Sequence, residues 1–218
     1  MNILCALLML VSIVLPQSDK YLVLVNKDNP ISTEYEHEIR ENLEPIYHTR
    51  RDGRDMQYMQ KDAARALDAL LFDADNAGYE ITVTSAYRSK NNQQKIYDMR
   101  FGYYVSSGKS ESEAKELTER YIAPPGCSEH HTGLAVDMHC LPSAETSFAD
   151  TEEFSWLCEN AAKYGFIIRY PKGKEDITGY GFEPWHFRYV GACASEIANS
   201  GLTLEEYVKK LGSGADPS

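Results

Sequence analysis

The chain has 218 residues with 22 Lys and Arg against 33 Asp and Glu, a formal net charge of −11. It therefore lacks in bulk the basic face that nucleic-acid and anionic-membrane binders need. Its 43% hydrophobic and 25% charged residues place it in the globular range and outside disordered, collagen-like and multi-span membrane compositions, and the length suits one domain with a sizeable core.

From Ile3 to Leu15 every position is apolar except Ser12, and no charge precedes Asp19. A run this short reads as a signal-peptide core or short anchoring leader over residues 1–18, because a bilayer-spanning helix needs about 20 residues. A buried first strand or helix is the plain alternative. Tyr21–Val25 reads as an early strand, and residues 26–57 as a polar, turn-rich stretch. Apolar residues at Ala63, Ala66, Leu67, Leu70 and Leu71 predict a helix over 59–77, stopped by Gly78. Residues 81–84 alternate as a strand, and 91–99 and 110–121 read as helices, the second opening on a capping box from Ser110 to Glu113. Beyond Pro124-Pro125-Gly126 come a strand at 134–138, a helix at 151–164 ended by Gly165, strands at 166–170 and 185–190, and helices at 192–199 and 204–211. The body thus spans 19–211, and 212–218 reads as a disordered tail. Helices lead and strands cluster late, which is an α+β class: a compact single domain with a central, mostly antiparallel sheet flanked by helices. Cys127, Cys140, Cys158 and Cys193 show no C-x-x-C spacing, which argues against a zinc ribbon or redox motif and leaves two disulfides or buried free thiols open.

Three segments carry chemistry. In Ser128-Glu-His130-His131-Thr-Gly133-Leu-Ala-Val-Asp137, a His and an Asp on either side of a glycine turn can meet on one metal. A capping histidine with a backbone-satisfied Asp is the alternative for this segment alone. His131 and His139 are expected to point away from the site, and His37 and His48 to lie at the surface. Glu183-Pro-Trp-His186 adds a third ligand and a spare carboxylate, the complement of a catalytic zinc site, provided that the backbone bends at Pro184. Ser85-Ala-Tyr-Arg88-Ser89, followed by Gln93, places an arginine where it can face a developing oxyanion or clamp a substrate carboxylate.

In this order the three segments resemble those of the VanY-type D-alanyl-D-alanine carboxypeptidases, in the M15 group of zinc peptidases. The likeness covers roughly Tyr21 to Gly191 and is specific in combination. It implies one catalytic Zn2+ held by His130, Asp137 and His186, with Glu183 as general base. Arg88 stabilises the transition state, and Ser128 and Gln93 line the substrate pocket. The substrates implied are peptidoglycan stem peptides or their precursors, cut at the terminal D-Ala-D-Ala bond outside the membrane by a secreted or leader-tethered monomer. L,D-carboxypeptidase action on tetrapeptides and endopeptidase action are alternatives within the family. A non-catalytic zinc domain of the hedgehog kind is the alternative outside it, disfavoured because Glu183 and Arg88 are both chemically competent.

Overall fold

The computed structural model describes residues 19–48 and 56–212, so the expected leader and the expected tail beyond Gly212 lie outside the described residues. In chain order the elements are α1 (Thr33–Glu41), β1 (Leu43–Pro45), β2 (Tyr58–Gln60), α2 (Lys61–Asn76), β3 (Thr82–Ser85), α3 (Lys90–Ser106), α4 (Glu111–Glu119) and β4 (Ala135–His139). They are followed by α5 (Glu152–Asn160), β5 (Phe166–Ile168), α6 (Glu175–Thr178), β6 (His186–Tyr189), α7 (Ala194–Ser200) and α8 (Leu204–Gly212). A four-stranded antiparallel sheet in the order β3-β4-β6-β5 forms the centre, and β1 pairs with β2 in a small ribbon. This is the α+β architecture expected.

Strand alternation separates core from chemistry. Val83, Val136, Met138 and Phe187 point into the main core, where they meet Leu67, Leu70 and Leu71 of α2. The intervening positions of β4 and β6 carry Asp137, His186 and Arg188. Register does the rest, since Ser85 pairs with Asp137 and Asp137 with His186, lining three polar residues across adjacent strands.

The structure differs from expectation where local pattern was weak. Tyr21–Val25 is no strand: a 3-10 turn covers Asp19–Tyr21, and the carbonyls of Tyr21 and Val23 accept hydrogen bonds from Arg188 Nη2 at 2.8 and 2.7 Å. A guidinium group thus replaces a ladder partner. Within 26–57 lie α1 and β1; α1 is capped by Ser32 and buries only Ile39, too little apolar periodicity to read. Helix α3 runs well past residue 99, and its one buried residue is the polar Gln93. The helix expected over 151–164 divides into α5 and a 3-10 turn at Ala161–Tyr164. The four body cysteines are free thiols, with Cys158 exposed and the others half-buried. No helix among the described residues is long and apolar enough to cross a membrane.

Candidate active site

A 3-10 turn at Glu129–Thr132, ended by Gly133 in the left-handed conformation (φ 64°), delivers His130 beside the sheet. Gly133 is required twice over, because a Cβ there would also lie 3.0 Å from Leu43 Cδ2 and 3.3 Å from the Gln60 nitrogen. His130 Nε2 lies 3.1 Å from Asp137 Oδ2, and His186 Nδ1 lies 3.0 Å from Asp137 Oδ1. One donor atom from each of His130, Asp137 and His186 falls within 4.8 Å of the others. The far nitrogen of His130 sits 2.7 Å from the Ala86 carbonyl, so Nδ1–H donates and the Nε2 lone pair faces the cluster. Two imidazoles and one carboxylate, with a side open to a cleft of about 200 Å³, match the donor set of a catalytic zinc site.

The electrostatics favour a cation at this point. Burial lowers His130 to about 4, so its ring is neutral. Burial opposes charge on His186 too, but the Asp137 carboxylate bonded to its Nδ1 and the facing Glu129 carboxylate prevail and raise it to about 9. Burial likewise works against Asp137, yet His130 and His186 hold its carboxyl well below the ordinary range. The cluster therefore draws a proton to His186 that a dication can replace.

Glu183 reaches the same place through a tight turn over Pro184 and Trp185, in which the His186 N–H donates to the Glu183 carbonyl at 3.2 Å. Its Oε2 lies 3.7 Å from His186 Nδ1. This is the bend at Pro184 that strand periodicity required. Burial raises the Glu183 carboxyl to about 8, against the pull of His186 and Arg88.

Arg88 closes the opposite side. Its guanidinium donates to Gln93 Oε1 and Ser85 Oγ, both at 2.7 Å, and Nη2 stands 3.6 Å from Asp137 Oδ2. Gln93, expected to line the pocket, does so, but its amide is committed at both ends, to Arg88 and to the Ala123 carbonyl at 2.7 Å. Its first duty is thus to hold Arg88. Ser128 is buried at the cavity wall. His131 points away from the cluster, as expected, with Nδ1 2.6 Å from the Arg88 carbonyl and Nε2 accepting the Gly126 N–H at 3.0 Å; the ring ties the Arg88 backbone to the Pro124–Gly126 loop. His139 packs against Phe148 instead. His37 is exposed, while His48 is half-buried and bonds Asp75 at 2.9 Å.

Sequence reasoning missed Ser85 as a guanidinium acceptor, the bracing role of His131, and the buried trio Glu129, Arg169 and Arg188 beneath His186. Ser85, Glu129 and His131 lay inside motifs already singled out; charged residues far apart in the chain give no local sign of meeting.

Comparison with known proteins agrees with this geometry. Residues 56–192 match the family model described as VanY, D-alanyl-D-alanine carboxypeptidase. The chain is 41% identical over 191 residues to the D-alanyl-D-alanine carboxypeptidase of Enterococcus faecalis (strain ATCC 700802 / V583), covering 86% of this chain and 65% of that protein. It spans 55% to 65% of the length of two of the curated relatives it matches. Among solved structures, it superposes on a variant of the vancomycin-resistance D,D-pentapeptidase VanY from a VanB-type cassette, in complex with Zn(II). That match has a TM-score of 0.71 and 37% identity, over 86% of this chain and 98% of that one. The LD-carboxypeptidase LdcB is similar, with a TM-score of 0.74 and 39% identity over 90% and 89% of the two chains. Fold, cluster and matches together establish that the chain belongs to the VanY family of D-alanyl-D-alanine carboxypeptidases.

Proposed function

We propose that this protein is a zinc-dependent D,D-carboxypeptidase that hydrolyses the terminal D-Ala-D-Ala bond of peptidoglycan stem peptides and releases D-alanine. The observation that carries this reading is a buried Glu183, 3.7 Å from His186 Nδ1, beside the His130–Asp137–His186 cluster with Arg88 across from it. These three residues would hold the zinc; when bound, it supplies the Lewis acidity that activates water and polarises the scissile carbonyl. Glu183 takes the proton from the attacking water and returns it to the departing amine of D-alanine. Arg88, held in place by Ser85 and Gln93, offsets the negative charge that grows on the carbonyl oxygen. Ser128 offers a hydroxyl to the substrate from the cavity wall.

A zinc-bound D,D-pentapeptidase among the solved relatives supports the reaction and the metal. The likeness to LdcB supports L,D-carboxypeptidase action as the second reading. The apolar run from Ile3 to Leu15 supports an exported or leader-tethered enzyme.

Mass spectrometry of a synthetic pentapeptide stem ending in D-Ala-D-Ala, and of the matching tetrapeptide, tests the proposal. Loss of one alanine from the pentapeptide is expected, abolished by a chelator and reduced about 10²–10⁴-fold in kcat by Glu183→Gln. Trimming of the tetrapeptide alone would move the assignment to L,D. No cleavage of either by the zinc-loaded protein would sink both readings.

A further inference from the structure

Beneath His186 lies a charged group that the proposed reaction does not use. The Glu129 side chain has no exposure. Its Oε1 accepts from Arg169 Nε at 2.7 Å and from Arg188 Nη1 at 2.6 Å. Arg169 is held in turn by Glu205, at 2.9 and 2.5 Å, and Arg188 by the carbonyls of Tyr21 and Val23. Glu129 Oε2 has no hydrogen-bond partner, and neither does the His186 Nε2 it faces; the two atoms are 3.7 Å apart.

We propose that Glu129 is a positioning residue for His186: Oε2 accepts the Nε2–H of the ring, which leaves the Nδ1 lone pair turned toward Asp137 and the metal. Buried polar atoms without partners are rare and costly, and here an acceptor and a ring N–H face each other across a gap that a small ring movement closes. Two guanidiniums on Oε1 keep Glu129 ionised, so it can accept from the ring but cannot donate to it. That restriction selects the Nε2–H tautomer. Tyr170, its ring centroid 4.8 Å from that of His186 and tilted by 37°, limits how far the imidazole can turn away. Carboxylates behind metal-bound histidines fix tautomer and orientation in this manner. In His130 the Ala86 carbonyl does the same work on the opposite nitrogen.

The inference rests on His186 being a metal ligand, and the test separates the two claims. Glu129→Gln preserves shape and lets the amide oxygen accept from both arginines, but it sets an N–H donor against Nε2 and favours the Nδ1–H tautomer, which blocks the metal. Zinc affinity, measured by chelator competition, is expected to weaken about 10–100-fold. Glu205→Gln loosens the same arginine network without touching the ring and should leave zinc affinity unchanged while lowering the melting temperature. Imidazole 15N spectra of the zinc-loaded wild type should show His186 protonated on Nε2, a readout that holds even where Glu129→Gln fails to fold. A folded Glu129→Gln protein with wild-type zinc affinity, or a His186 protonated on Nδ1 in the zinc-loaded wild type, would overturn the proposal. A His186→Ala protein that keeps wild-type zinc affinity would instead remove the ligand assignment beneath it.

Discussion

Arg88 shows how much of a functional residue lies in its neighbours. As a lone arginine in a sequence it has no special standing, since most are solvated. In the fold it is half-buried, desolvation lowers its pKa, and its fork is filled by Gln93 and Ser85 at 2.7 Å each. A lysine has one compact ammonium and cannot satisfy both partners while still facing the cleft. Arg88→Lys is therefore expected to fold and bind zinc normally, yet to lose about 10²–10³-fold in kcat, the scale of one lost oxyanion contact. Steady-state kinetics on a pentapeptide stem, beside a zinc titration, checks this; an unchanged kcat would return Arg88 to a structural role. The cysteines make the opposite case: four thiols stand free, and none belongs to the cluster.

Elements set the angles at which such residues arrive. The 3-10 turn, not a strand, carries His130, and a tight turn over Pro184 carries Glu183. The last helix, α8, reaches the buried arginines, where Glu205 accepts from Arg169. It opens on a capping box: the Thr203 N–H donates to Glu206 Oε2 at 2.8 Å, and the Glu206 N–H to Thr203 Oγ1 at 3.2 Å. Backbone hydrogen bonding from Thr203, then Lys174, lowers the Glu206 carboxyl below its ordinary value of 4.5. A carboxyl depressed in the folded state stabilises above its unfolded pKa and loses that contribution as pH falls through the folded one. The cap is thus complete at neutral pH and fades only below about pH 4.5. Thr203→Ala should cost about 1 kcal/mol. In Glu206→Gln the stability difference from wild type should shrink as pH drops below 4.5, measured as melting temperature against pH. A difference that stays constant with pH would contradict the ionised cap.

At the scale of the whole molecule, the site ties together segments that lie between Ser85 and His186. Residues of β3, the 3-10 turn, β4, the Pro184 turn and β6 converge on one cluster, so an ion bound there adds to the links made by the sheet and by the hydrogen bonds from the turn to Ala86 and Arg88. Anything that binds only the folded state stabilises it by mass action, about 4 kcal/mol at a thousandfold excess over Kd. Stripping zinc with a chelator should therefore lower the melting temperature markedly, and readdition should restore it. A melting temperature indifferent to zinc would deny a site on the folded protein.

Much of this was legible from residues alone. Pattern within a few residues was enough for α2, with its apolar stripe from Ala63 to Leu71, for the capping box at Ser110 and for the sheet strands, because side-chain period is local physics. The residues that meet in the His130–Asp137–His186 cluster, and Glu183 beside them, could also be named, since metal chemistry restricts residue types and the motifs keep their spacing. Local pattern could not show that Tyr21–Val25 would give its carbonyls to Arg188 instead of a strand, nor that α1 would form and α3 run on to Ser106 with almost nothing apolar to bury. Tertiary structure alone decided which nitrogen of each histidine faces the cluster, that Gln93 serves Arg88 before any substrate, and that Glu129 sits behind His186. Those outcomes depend on groups dozens of residues apart meeting where water is excluded, and it is burial that turns such meetings into energy.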